Sequence, residues 1–440
     1  MDGAARAALA ETARRVLDEN RRGTWTCPSS ELYPHQWLWD SCFIAIGLAR
    51  VDPARAADEL RALLRGQWSN GMIPHMIFAD GHRDLGSRHL WQSRHFPAAP
   101  RGVATSCITQ PPLPSIAVEH VGRFLTGAER QSFLTEMYPA LVKYHAWLYR
   151  ERDPDRTGLV TLIHPWECGL DTTPTWMRTL ARWRGPRWLR VVLRLRLARV
   201  VRFLRRDTKY IPAAERSSDD DGLRMLALVH QAKRAAFDLG RLTGRRSVLI
   251  QDLAFNSLLA VANRALESIA EMLDETIDTD LQERLPSTAA AIEGLWDDAR
   301  GRYGSRDIGT GKVITLPTVA TFLPLWVGIA PERRVRLLSL LAGKSGFWPE
   351  FPVPSVPTDA RRFDASRYWK GPTWVNTNWS VVQGLRACGA TDVADELRDR
   401  TLAMVHDAGC FEYFSPLTGK GIGAADFSWT AALVLDLLAD

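Results

Sequence analysis

Phe255-Asn256-Ser257-Leu258-Leu259-Ala260-Val261-Ala262-Asn263-Arg264-Ala265-Leu266-Glu267-Ser268-Ile269-Ala270-Glu271-Met272-Leu273 sets Phe255, Leu258, Ala262, Leu266, Ile269 and Leu273 mostly three or four residues apart. An α-helix of about 3.6 residues per turn carries such a set on one side. The same rhythm recurs outward from this stretch, in Ala5, Leu9, Ala13 and Val16 and again in Phe133, Met137, Leu141, Tyr144 and Leu148. Asp52 before Pro53 reads as an N-cap with proline at the first helical position, ahead of Ala56, Leu60 and Leu63. Further helices are predicted over 332–342, 375–387, 391–405 and 427–438, about a dozen in all at the usual length. Period-two alternation barely occurs, so the fold class is all-α.

The chain has 440 residues, 46% apolar and 24% charged, the balance of a globular protein. No Pro/Gly/Ser-rich linker divides it, which favours one large ring-like or repetitive domain over residues 1–440. No apolar run reaches the roughly 18 residues of a membrane span. The first twenty residues read as an amphipathic helix rather than a secretory signal, so a cytoplasmic location is expected. The six cysteines lack zinc spacing, and no phosphate-cradling G-x-x-x-x-G-K is present. Neither a metal nor another cofactor is expected.

The net charge of +6 misleads, because residues 178–206 hold eleven arginines and no acid, leaving the remainder five negative. A nucleic-acid binder would spread its basic residues over a recognisable module. Here they belong to one segment, so no nucleic-acid partner is expected.

Between the predicted helices lie loops rich in Trp, Tyr, Pro, Gly, His and acids, at 25–40, 71–112, 164–176, 346–378 and 411–429. Loops on a rigid helical frame carry function, and these five are expected to build one site. Two stretches carry chemistry. In Ile163-His164-Pro165-Trp166-Glu167-Cys168-Gly169-Leu170-Asp171, two carboxylates follow an aromatic where Pro and Gly forbid a helix interior. That suits an acid kept protonated by an apolar neighbour, or else a turn with solvated acids. In Phe411-Glu412-Tyr413-Phe414 an acid is enclosed by three aromatics, and is either reactive or the partner of a buried base.

With Tyr33-Pro34-His35-Gln36-Trp37-Leu38-Trp39-Asp40, Tyr368-Trp369-Lys370-Gly371-Pro372-Thr373-Trp374 and Phe427-Ser428-Trp429, these blocks resemble family 63 of the glycoside hydrolases. Within it the likeness is to the bacterial mannosylglycerate and glucosylglycerate hydrolases, over nearly the whole chain. The resemblance implies an (α/α)6 barrel, a toroid of helical hairpins with long active-site loops at one end. It also implies inverting hydrolysis of an α-glycoside, with Asp171 as general acid and Glu412 as general base. By the same resemblance Tyr33, Trp37, Asp40, His75, Gln110, Trp166, Gly169, Tyr368, Trp369, Gly371, Trp374 and Trp429 bind substrate. Arg205 (or Arg206) and Tyr210 are the candidates for the carboxylate of a glycerate aglycone.

The expected substrate is therefore a small anionic glycoside such as glucosylglycerate or mannosylglycerate. A neutral disaccharide or oligosaccharide cleaved by an α-glucosidase is the alternative; a barrel serving as platform for membrane or nucleic-acid association is the other. The sequence departs from the resemblance in the inserted, lid-like segment 172–222. There Arg187, Arg190, Arg194, Arg199, Arg202 and Arg206 alternate with Leu and Val as a basic amphipathic helix over 187–206. Three roles are open to it, in order of preference: a lid, a contact in a homo-oligomer, and a contact with anionic lipid.

Overall fold

All twelve residues of the helix Leu38–Ala49 are buried, as are the first ten of Ser428–Ala439. Helices without a solvent face belong inside the molecule. The two approach closely at Gly47, where a Cβ would fall 2.0 Å from the carbonyl oxygen of Ala432. Glycine alone permits that distance.

The computed structural model describes residues 1–80, 85–198, 207–243, 247–343 and 345–439. From Leu38–Ala49 the packing passes to Pro114–Phe124, then to Leu253–Leu273, the short Pro324–Val327, Val375–Ala387 and Ser428–Ala439, which returns to Leu38–Ala49. A second helix backs most of these: Pro53–Leu64 behind Leu38–Ala49, Gly127–Arg152 behind Pro114–Phe124, and Thr279–Ile292 behind Leu253–Leu273. Thr391–Ala408 backs Val375–Ala387, and Gly3–Glu19 backs Ser428–Ala439. The backing helices are amphipathic; Gly3–Glu19 buries only Leu9, Ala13, Val16 and Leu17. Between the layers the buried apolar side chains form one contiguous cluster.

The sequence-based helices are recovered with small shifts at their ends: Pro331–Ala342, Val375–Ala387, Thr391–Ala408 and Ser428–Ala439. Asp52 caps as expected, its Oδ1 accepting from the N–H of Arg55 at 3.0 Å. Short antiparallel pairs tie the loops together, notably Gln36–Trp37 with Met76–Ile77 and Tyr413–Phe414 with Gly421–Ile422. In the arginine-rich segment the structure places helices at Pro174–Arg182 and Arg187–Arg194. The expected helix over 187–206 is cut short: it ends at Arg194, where Leu195 and Arg196 form a turn with Arg196 at φ +55°, and 199–206 lie outside the described residues. Among those residues no helix is long and apolar enough to cross a membrane.

Candidate active site

Three loops deliver the two acidic motifs and the first aromatic block to one cavity. Pairing of Gln36 with Ile77 and of Trp37 with Met76 brings the first block beside His75, whose carbonyl accepts from the N–H of Leu38 at 3.1 Å. The second block makes one turn of 3-10 helix, Pro165–Cys168, capped by His164, whose Nδ1 accepts from Trp166 N–H. Glu412 enters from the strand pair of Tyr413–Phe414 with Gly421–Ile422. At Gly423 (φ +77°) a Cβ would fall 2.6 Å from Oε2 of Glu412. Glycine there lets the following N–H, that of Ala424, donate to Oε2 at 3.1 Å.

The cavity holds about 500 Å³ and is lined by Asp171 and Glu412 together with Tyr33, Trp37, Asp40, His75, Gln110, Trp166, Gly169, Tyr368, Trp369 and Trp429. Trp374 stands behind this wall, fully buried and stacked on Trp369 with ring centroids 3.7 Å apart. Gly371 also lies behind it, its N–H donating to Oγ of Ser355 at 3.0 Å. Tyr210 is exposed and does not line the cavity. Arg205 lies outside the described residues.

The two acids of the His164–Asp171 stretch separate sharply. Glu167 is fully buried against Arg152, with Nη2 to Oε1 at 2.8 Å and Nη1 to Oε2 at 3.2 Å, and it also accepts from the N–H of Ile163. It anchors the loop. Asp171 faces the cavity, and burial pushes its carboxyl up to about 7, against the opposing pull of the Arg216 charge and of the Tyr368 hydroxyl, which donates to Oδ2 at 3.3 Å. Near neutral pH it is poised to hold a proton. Asp40 is likewise raised, by burial. His75 is lowered by burial to about 3, so its ring is neutral and hydrogen-bonds Ser106 through Nδ1.

Among the described residues every hydrogen bond to the Glu412 side chain comes from a donor. Tyr33 donates to Oε1 at 3.0 Å, Nη1 of Arg216 reaches Oε1 at 3.1 Å and Oε2 at 3.2 Å, and Ala424 N–H takes Oε2. This is the environment of an ionised carboxylate. Arg216 also donates to the Tyr33 hydroxyl and lies 4.2 Å over the ring of Tyr368. The enclosed acid thus has a buried basic partner, whatever its own part in the chemistry, and sequence reasoning did not pick that partner out. Its signal was the enclosure of Glu412 by aromatics, which demands a counter-charge without saying where in the chain it resides. Trp39, Trp91, Asp207, Asp219 and Phe427 also line the cavity and were not among the sequence candidates. Arg216 is the one arginine or lysine in that lining among the described residues. Among the same residues no group of three or more His, Cys, Asp or Glu side chains is placed to hold a metal ion.

A carboxyl raised by burial and a donor-clamped carboxylate, facing one aromatic cavity of sugar size, suit the chemistry of a glycosidase. The chain is indeed a glycoside hydrolase: residues 33–430 match the mannosylglycerate hydrolase MGH1-like glycoside hydrolase domain, and it belongs to that family, within glycoside hydrolase family 63. Among its relatives is the mannosylglycerate hydrolase of Thermus thermophilus, 38% identical over 426 residues, covering 96% of this chain and 99% of the relative. The glucosylglycerate hydrolase of Mycolicibacterium hassiacum is 34% identical over 447 residues, covering 98% and 97%. A crystal structure of a Thermus thermophilus mannosylglycerate hydrolase in complex with Tris and D-glycerate superposes with a TM-score of 0.87 at 36% identity, covering 97% of this chain and 99% of that one.

Proposed function

We propose that this protein is an inverting α-glycosidase that hydrolyses mannosylglycerate or glucosylglycerate, with Asp171 as general acid and Glu412 as general base. The observation that carries the reading is the contrast between the two acids within one cavity, Asp171 raised to about 7 and Glu412 surrounded by donors. Asp171 gives its proton to the glycosidic oxygen as the bond from that oxygen to C1 breaks. A water bonds to C1 from the opposite face and yields a proton to Glu412, so the sugar leaves with inverted configuration and no covalent intermediate forms. The rings of Trp37, Trp166, Trp369 and Trp429 offer apolar faces to the pyranose, while Asp40 and Gln110 hold hydroxyls. The inner circuit of helices with its backing partners is read as an (α/α)6 barrel, and the whole chain as one catalytic domain.

The names of the relatives and the D-glycerate held by one of them support an anionic aglycone. One observation favours the neutral-glycoside reading as an alternative: Asp40, Asp171, Asp207, Asp219 and Glu412 outnumber Arg216 in the described lining. Hydrolysis of a panel of α-mannosides and α-glucosides, with the aglycone carboxylate free, esterified or reduced, separates the two. A free carboxylate should raise kcat/KM; equal rates on neutral aglycones would select an α-glucosidase. Proton NMR of fresh product should show the β-anomer first, and an α-anomer would mean a retaining mechanism.

A further inference from the structure

Four of the eleven exposed large apolar side chains among the described residues, Trp188, Val191, Leu195 and Leu197, fall within ten positions of the arginine-rich segment. Trp188 is 48% exposed, Val191 54% and Leu195 60%. At about 100° per residue these three share a narrow sector of the helix Arg187–Arg194 and its first following residue, while Arg187, Arg190 and Arg194 occupy the adjoining sector. Leu189 points the other way and is buried, yet it lies outside the contiguous core. The helix packs on Asp219–Arg234 and presents both the apolar and the basic sector outward.

Among the described residues these arginines meet no acid. Arg178, Arg182, Arg184, Arg187, Arg190, Arg194 and Arg196 are all exposed, and among the described residues none of their side chains has an ion pair or a hydrogen bond. None of residues 173–198 lines the cavity; from the 172–222 segment the lining takes Thr172, Asp207, Arg216, Ser217, Asp219 and Gly222. A symmetric pair of copies would bring the same patch against itself and set unpaired arginines against one another. A nucleic acid would satisfy the guanidinium groups and leave the Trp188–Val191–Leu195 strip in water. A surface that takes both sectors at once offers phosphates at one level and hydrocarbon just beneath.

We infer that residues 182–198 form a docking surface for an anionic lipid bilayer, with Trp188, Val191 and Leu195 entering the interface and Arg184, Arg187, Arg190, Arg194 and Arg196 on lipid phosphates. The inference stands on the surface alone and is independent of the catalytic reading. Contact of this kind is peripheral and weakens with salt.

Sedimentation of the full-length protein with vesicles tests it. The protein should pellet with phosphatidylcholine vesicles containing a third of phosphatidylglycerol at low salt, pellet poorly with phosphatidylcholine alone, and be released by high salt. Arg187→Gln with Arg190→Gln and Arg194→Gln should lower the partition coefficient by about 10²-fold. Trp188→Ser with Val191→Ser and Leu195→Ser should lower it comparably, with melting curves and hydrolysis of a soluble glycoside unchanged. If the triple serine variant misfolds, Trp188→Gln alone provides the readout, with a smaller loss. Absence of pelleting with anionic vesicles would overturn the inference. So would full retention of binding when the apolar strip is removed, tighter binding to duplex DNA than to vesicles, or a dimer that dissociates when the strip is removed.

Discussion

Nη1 of Arg216 stands 3.1 Å from Oε1 and 3.2 Å from Oε2 of Glu412, one nitrogen bridging both oxygens of a buried carboxylate. The guanidinium is itself fixed, by the Tyr33 hydroxyl on one side and the Tyr368 ring on another. Arg216 is thus a positioning residue that sets the direction in which Glu412 presents its oxygens, and its charge also reaches Asp171.

Replacing Arg216 with Met should therefore lower kcat by about 10²-fold, with a smaller change in KM, because the base is misaimed. Its charge also holds the Asp171 carboxyl down, so removing it raises that group further. With Asp171 as the proposed general acid, activity should fall as pH rises through the Asp171 pKa. The alkaline limb of the Arg216→Met profile should accordingly move to higher pH. A lysine at 216 should keep the limb near its original position without restoring kcat, since a single ammonium reproduces the charge but not the planar fork. Parent-like kcat in Arg216→Met would refute the positioning role.

Asp171→Asn and Glu412→Gln should each reduce kcat by at least about 10²-fold, the scale of a lost general acid or base. Circular dichroism should show an unchanged fold in both. Full activity in either variant would sink the assignment of that residue.

The raised carboxyl of Asp171 also has a stability signature. Its folded value of about 7 lies above the ordinary carboxylate range, so the folded state binds the proton more tightly than the unfolded chain does. The stability this provides is complete below the unfolded value, near 4, and is lost as pH rises to about 7. Asp171→Asn does not titrate and escapes that loss. Its unfolding free energy relative to the parent, measured in urea, should climb between about pH 4 and pH 7 and then level off, by an amount on the order of 1–4 kcal/mol. A difference that stays flat with pH would show that the carboxyl is not perturbed in the folded protein.

At Gly47 an added methyl has no space, because the carbonyl of Ala432 already occupies it. Gly47→Ala should separate two inner helices and cost on the order of 1–3 kcal/mol or more, despite the gain in helix propensity. Gly222, in the first turn of Asp219–Arg234, has no heavy atom within 4 Å of its added Cβ, and Gly222→Ala should stabilise slightly. Urea unfolding of the two variants measures the contrast, and equal effects would mean that the Gly47 crossing can relax.

Helix periodicity made the scaffold readable because burial on one side of a helix leaves its mark every three or four residues, as in Phe255, Leu258, Ala262 and Leu266. The aromatic-rich loops around Tyr33, Trp166, Tyr368 and Trp429 pointed to the cavity that they line, since so many rings and acids serve no purpose in ordinary connections. Arg216 escaped because Glu215-Arg216-Ser217-Ser218 carries no period and no aromatic neighbour. Its significance comes from a partner 196 positions away in the chain. Trp374 shows the reverse difficulty: a tryptophan in a motif is the same letter whether it faces a cavity or, as here, supports the ring that does. Glu167 and Asp171, four residues apart, look alike as residues in one loop; the resemblance favoured Asp171, and the position of Arg152 shows why Glu167 is held away from the cavity.

The return of Ser428–Ala439 to Leu38–Ala49 bears on how the protein is made. The wholly buried surface of Leu38–Ala49 leaves the ribosome about 390 residues before the helix that covers part of it, an interval of tens of seconds at ordinary rates of synthesis. Glu412 and Trp429 arrive in the same late portion, so the cavity has no floor until that portion is in place. Until the later helix is made the seam between the two helices stays open, and closing it is a long-range event of high contact order.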